Sequence, residues 1–328
     1  MTSPIITERR VRGWFFERLM QATGIDWIEA IATAPMTSDQ DSEDYAWLGQ
    51  VPQMVEKGGE KKFQQLRDTE WNVKNVEYQT GITIPEKHIL YDKTGQVQIR
   101  VGELAERVQA HWGTLIAPLI LNGAATACYD GQYFFDTDHS EGDSGTQSNS
   151  ISADISTYPV ANAGTTTQPS AAEMTFAIMQ AIETMLAFKD DQGEYVNETM
   201  TEFLIVCGTP LLTNALQGLT SRSIDGGDGN LLLEQDSFRF RLVATPRLSS
   251  WTDKFAVFAT QGQQKPIIRQ QRVPNNAGSA FNAEGIAYES LWLDSEHCKK
   301  HDECLVSVET ERAAAYGDWK KAELVTLV

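Results

Sequence analysis

Cysteine is scarce. Four residues, Cys128, Cys207, Cys298 and Cys304, in a chain of 328 are too few for a disulfide scaffold. Long apolar runs are missing too. No window approaches the roughly 18 consecutive apolar residues that a membrane span requires. Basic residues are outnumbered, 27 against 45 acidic, for a formal charge of −18. Sequence-specific DNA binding needs a basic face to neutralise phosphates, so this balance opposes it. The same charge favours solubility at high local concentration through self-repulsion. Residues Met1 to Arg12 carry Arg9, Arg10 and Arg12, but Glu17, Arg18 and Gln21 break the apolar segment that follows, so no signal peptide is expected and the protein is expected in the cytoplasm. No G-x-S-x-G, zincin or Rossmann fingerprint is present, and there is no internal repeat. No enzyme and no cofactor is expected.

What remains is ordinary globular composition, 41% hydrophobic and 22% charged, long enough for one large or two medium domains with a sizeable core. The most informative stretch is Gly102 to His139. Leu104, Val108, Trp112, Leu115, Leu119 and Gly123 recur every three or four residues and predict one apolar stripe along a long helix. Glu103 and Glu106 are expected in its first turn, near the positive end of the helix dipole. Pro118 would bend the rod rather than end it. Small residues from Asn122 to Ala127 invite another backbone to approach closely. Asp130-Gly131 then turns the chain into an aromatic plug, Tyr133-Phe134-Phe135.

Elsewhere, Val11, Phe15 and Leu19 suit a short helix within Ile5–Met20, and Trp27 to Ala34 forms a further apolar piece. So many aromatics must be buried, either on the chain's own core or, as an arm, on a neighbour. Met36 to Asp44 reads as a polar joint. Two β-like runs, Glu70 to Ile84 and His88 to Val101, are separated by the turn signal Asp92-Lys-Thr-Gly95. Residues 50–100 therefore read as a long β-excursion with little apolar mass of its own. Ser140 to Ser170 reads as a surface loop. Ala171 to Phe188 predicts a second helix, with Ser170 and Glu173 as a capping box. Phe203–Cys207, Phe238–Thr245, Phe255–Ala259 and Ile267–Val273 predict strands, Pro210 opens a helix to Leu219, and Val306, Val308 and Trp319 face inward near the end. The fold class is α+β.

Three clusters are candidate chemistry. Asp136, Asp138 and His139 offer two carboxylates and an imidazole, a set that in a hydrolase holds a metal and activates water; a turn in which Asp side chains bond backbone amides is the favoured reading. His297, Cys298, His301 and Cys304 carry enough donors for one tetrahedral zinc, but at a spacing tighter than usual zinc pairs, so an exposed polar loop is the favoured reading. A Cys298–Cys304 disulfide is not expected in a reducing cytoplasm. Asp225-Gly-Gly-Asp-Gly-Asn230 lacks the bidentate Glu of a calcium loop and the Lys-Ser/Thr of a phosphate loop. A non-catalytic chain is favoured.

Ile31-Ala-Thr33, Tyr45-Ala-Trp-Leu-Gly49, Pro52-Gln-Met54, the long helix, and Tyr129-Asp-Gly-Gln-Tyr-Phe-Phe-Asp-Thr-Asp-His139 together resemble the Mu-like phage major head subunit family. Phe203-Leu-Ile-Val-Cys-Gly-Thr-Pro-Leu-Leu212 and Tyr316-Gly-Asp-Trp319 fit its later pattern. The segment Val55 to Lys62 departs from the family, which has Trp and Arg there, and the Cys–His cluster is not a family feature. The resemblance implies a major capsid protein of Hong-Kong-97-type fold. It assigns 1–49 to an N-terminal arm, 50–100 to an extended β-loop over a neighbouring subunit, 101–198 to a peripheral domain with the spine helix, 199–296 to an axial domain, and 297–328 to a return to the peripheral domain. It implies hexamers and pentamers of an icosahedral shell, assembled in a bacterial cytoplasm around DNA held non-specifically, with a separate scaffold, a maturation protease, a portal and decoration proteins as partners. The alternatives are a metal-dependent hydrolase at Asp136/Asp138/His139, or another phage structural protein that stays monomeric or forms open fibres.

Overall fold

The computed structural model describes residues 6–22, 24–48, 68–92, 94–224, 228–234, 236–273 and 285–328. Its axis is the spine helix Gln96–Leu121, 26 residues, about 39 Å at 1.5 Å per residue. The apolar positions of that helix divide between two cores. Val97, Val101, Leu104, Ala105 and Val108 enter one; Trp112, Ile116 and Ile120 enter the other. The stripe slips from the expected Leu115 and Leu119, which are only partly buried, to Ile116 and Ile120. Steps of four residues overshoot the 3.6-residue turn, so a face kept at that spacing rotates around the rod.

The spine begins six residues before Gly102. The run His88–Val101, expected as β, is instead the helix Glu86–Tyr91 followed by the first turns of the spine. Val97 and Val101 are buried while Ile99 is half exposed, a helical spacing that a short alternating run conceals. The turn at Asp92 is real but joins helices. Its Oδ1 accepts from the amides of Thr94, Gly95 and Gln96, and its Oδ2 from Val97. Gly95 sits at φ 74°, where a side chain would be strained. Glu103 and Glu106 therefore miss the first turn. They pair with Arg100 at 2.7 Å and with Arg18.

The aromatic N-terminus is buried on its own chain. Helix Glu8–Gln21 lays Val11, Phe15 and Leu19 into the first of these cores, and Asp26–Ile31 buries Ile28 and Ile31 in the other. Strands Ser42–Leu48 and Asp68–Lys74 form an antiparallel hairpin. The expected tip, including Pro52–Met54 and Glu56–Lys62, lies outside the described residues.

The organising strand is Glu303–Tyr316. Val76–Pro85 pairs along one side of it, from Arg312↔Val76 to Glu303↔Pro85. On the other side Ile286–Leu291 and Ile267–Arg272 pair with its first and second halves, and Met36–Ser38 adds to the latter in parallel. A second sheet runs Arg239–Thr245, Glu202–Gly208, Lys254–Ala259, Ala322–Leu327, Ser150–Ala153, with parallel pairs at its two ends and antiparallel pairs between. Its strands come from three separate parts of the chain. Helix Ala171–Leu186 packs on it, opened by the expected capping box, in which Ser170 Oγ accepts from Glu173 N and the Glu173 carboxylate accepts from Ser170 N.

The stretch 140–170, expected as surface loop, is anchored where Ser150–Ala153 joins that sheet and Ile155 is buried. Four strand residues among so many polar ones leave no readable alternation.

Candidate functional site

The small-residue tail after the spine does what its composition suggested. A Cβ on Gly123 would lie 2.5 Å from the Phe135 ring, and Phe135 N donates to Gly123 O at 2.9 Å. Phe134 and Phe135 are buried, while Tyr133 stays half exposed. Phe134 stacks on Tyr316, centroids 4.6 Å apart, and Tyr316 OH donates to Leu119 O at 2.8 Å. The plug thus locks the spine's end to the long strand.

Beside it lies His139, with no exposed surface. Its Nδ1 is 2.6 Å from Asp130 Oδ2 and its Nε2 3.2 Å from Asn149 Oδ1. Asp130 also accepts from Cys128 Sγ at 3.0 Å and Gln132 N at 3.1 Å. Burial pushes the Asp130 carboxyl up, but the bonds from His139 and Cys128 outweigh it and hold it below the usual range. Asp136 and Asp138 do not join this group. Asp136 accepts from the amides of Tyr133 and Thr137 at 3.1 and 2.7 Å. Asp138 is fully exposed, its carboxyl raised by Asp136. The hydrolase set comes apart, and the turn reading of the two aspartates holds.

Among the described residues, Cys128, Asp130 and His139 are the three metal-type donors that do converge, within 4.8 Å of one another. Those donors are spent on each other, and burial together with Asp130 raises the Cys128 thiol far above its ordinary value. That disfavours the thiolate a metal would need. Glu141 extends the network, accepting from Tyr129 OH at 2.7 Å, Trp319 Nε1 at 3.3 Å and Lys320 Nζ at 2.7 Å. The whole is a buried polar clasp between the plug and the segment before the last strand. No local pattern marks Asn149 and Lys320 as members, because they reach Trp319 O and Tyr129 OH, 170 and 191 residues away; Asp130, nine residues before His139, is hidden by its place in the Asp-Gly turn.

The Cys–His cluster also splits. Helix Glu296–His301 turns Cys298 inward, where it meets Cys304. His297 and His301, four apart, share the outer face with ring centroids 4.7 Å apart, and His297 lies 3.3 Å from Glu303. Four donors do not converge on one point. Of the glycine-aspartate loop, Asp225 to Gly227 lie outside the described residues; Asn230 is buried and braces Gly218 O and Ser221 O. Cys128 and Cys207 are buried thiols, as expected.

Where the two cores meet, the guanidinium groups of Arg269 and Arg312 lie over the Trp112 ring, 5.4 and 4.7 Å from its centroid. Arg312 donates to Val108 O at 3.0 Å, and burial lowers its pKa to about 10. No described helix is long and apolar enough to cross a membrane.

This architecture of spine, plug and hairpin has counterparts. The family model described as Mu-like prophage major head subunit gpT matches residues 13–169. Over those residues, just under half of its length, the chain is similar to the Mu-like major head subunit family. The matched span contains most of the first helix, all of the second, the hairpin, the spine, the plug and His139. The Mu-like prophage FluMu major head subunit of Haemophilus influenzae is 35% identical over 113 residues, 34% of this chain and 37% of that protein. The alignments span about a third of the length of the curated relatives. The chain has the Hong-Kong-97-type capsid fold. It is similar to the procapsid of bacteriophage JBD30, with a TM-score of 0.52 at 18% identity over 98% of this chain and 76% of that one. It is similar also to the capsid of cyanophage P-SCSP1u, with a TM-score of 0.54 at 11% identity over 92% and 88%.

Proposed function

We propose that the chain is the major capsid protein of a phage head, repeated as hexamers and pentamers of an icosahedral shell around double-stranded DNA. The observation that carries this reading is a capsid-type fold along nearly the whole chain whose first half is similar to the head-subunit family. Such a subunit works by burial: many modest contacts between copies sum into a closed shell. In this reading the hairpin is the base of a loop that covers a neighbour; of the span 50–100 assigned to that loop, Val76–Pro85 and the helices from Glu86 onward belong to the subunit's own body. The spine anchors a peripheral region of 101–198, and the strands of 199–296 surround the symmetry centres. Residues 297–328 return the chain. Because one sheet draws strands from 150–153, 202–259 and 322–327, these regions share a framework. The arm of 1–49 is then only partly an arm, since its first helix completes a core of its own subunit.

The partners in this reading are further copies of the chain, a separate scaffold, a maturation protease, a portal and decoration proteins, with assembly in the bacterial host cytoplasm and the virion as destination. The charge of −18 suits a wall that must not adhere to the DNA it encloses. Nothing in the placement of Asp136 and Asp138 favours the hydrolase.

Electron microscopy with light scattering on the same purified sample tests the proposal. Rings of five or six, or closed shells, are the expected result. A monomer at every salt and concentration, with scaffold co-expressed, would overturn it.

A further inference from the structure

Helix Glu296–His301 ends at Asp302, a left-handed residue at φ 53° whose amide donates to Cys298 O at 2.8 Å. This reversal carries the chain back so that Cys304, the second residue of the long strand, lies under Cys298. The two Sγ atoms are 3.0 Å apart, at 1% and 0% exposure. The turn is held from outside: Asp302 O accepts from Glu86 N at 2.8 Å, and Cys304 is paired with Ile84. The other two thiols are elsewhere, Cys128 bonded to Asp130 and Cys207 in the larger sheet. Two buried thiols that served only as small apolar side chains would not need to point at each other.

We propose that Cys298 and Cys304 are a paired oxidation site that closes as an intrachain disulfide when the chain leaves a reducing compartment. The timing rests on the proposed capsid role, which takes the chain from the host cytoplasm into a released particle; the bond itself does not. The oxidant is a small-molecule disulfide. The Cys298 thiolate attacks one of its sulfurs, the small S–S bond breaks, and one small thiol leaves. The Cys304 thiolate then attacks the Cys298 sulfur and displaces the second small thiol. Two cysteine thiols are oxidised, one disulfide is reduced, and the two protons lost end on the small thiols. Reaction in the folded chain is slow. Burial and the neighbouring Cys298 push the Cys304 thiol up to about 12, and the oxidant enters only when the covering six-residue helix opens, a length too short to be stable alone.

The test treats the full chain with oxidised glutathione, quenches in acid, alkylates in denaturant and maps peptides without reduction. The expected result is that Cys128 and Cys207 alone remain alkylatable. A peptide joining Cys298 to Cys304 should appear, two hydrogens lighter than its thiol form and restored by dithiothreitol. Formation should be several-fold faster at about pH 9 than at about pH 7. Cys298→Ser should leave three alkylatable thiols and no linked peptide. Four free thiols at both pH values, or stable glutathione adducts without the link, would overturn the site. A linked chain that never assembles would overturn the timing and the capsid reading together; an assembling chain that never links would overturn the site alone.

Discussion

His139 and Trp319 lie face to face, ring centroids 3.9 Å apart and planes 7° from parallel. They come from distant parts of the chain, and the imidazole is held in that plane by Asp130 on one nitrogen and Asn149 on the other. His139→Ala removes the stack and leaves the largely buried Asp130 carboxylate with only Cys128 and Gln132 as donors. The expected loss is about 2–4 kcal/mol of unfolding free energy, a hydrogen bond to a charged group plus an aromatic pair. Urea denaturation of wild type and variant measures it.

Asp130 also sets an acid limit. Its folded carboxyl lies below its unfolded value. It therefore contributes stability at pH above about 3.9, and that contribution is lost as pH falls through the lower, folded value. Midpoints measured between neutral pH and about pH 3 should fall for wild type and fall less for Asp130→Asn.

Glu323 acts in the other direction. It is fully buried in the last strand, neither carboxylate oxygen has a hydrogen-bond partner among the described residues, and burial raises its pKa well above the ordinary value. Its contribution is present below about pH 4.3 and is lost as pH rises toward the raised value. Glu323→Gln cannot ionise, so its stability relative to wild type should increase between about pH 5 and pH 8. Equal differences at both ends of that range would count against this account.

Gly123 leaves the space that Phe135 fills. Gly123→Val should force the ring out of place at a cost of about 1–3 kcal/mol, read as a lower melting temperature with the plug's near-ultraviolet circular dichroism reduced.

Phe15 lies in the segment assigned by resemblance to an arm, yet it is fully buried against the chain's own spine and Tyr288. Phe15→Ala should destabilise the isolated subunit by about 3–5 kcal/mol. An arm that served only neighbours would leave subunit stability unchanged and weaken assembly alone.

Much of this was legible locally. The spine, the capping box at Ser170 and Glu173, the buried strand around Ile205 and the tight approach at Gly123 follow from spacing and residue size within short windows. What failed depended on period or on distance. His88–Val101 alternates well enough to pass for a strand, and only the burial of Val97 with Val101 separates the readings. The donor clusters were read by adjacency in the chain, whereas His139 took Asp130 rather than Asp138, and Cys298 took Cys304 while His297 and His301 turned outward. A six-residue helix put the two halves of that motif on opposite faces. The family resemblance supplied the capsid fold, which residue patterns alone left at α+β.

The spine helix has its two halves seated in separate cores, with Arg312 and Trp112 at the crossing point. Mechanically it is a beam clamped at both ends. A push on the core that holds Val97 cannot be absorbed there alone; it tilts the rod and shifts the plug and the clasp at the far end. A load applied to one face of such a subunit is therefore passed along its length, and the subunit moves as one lever.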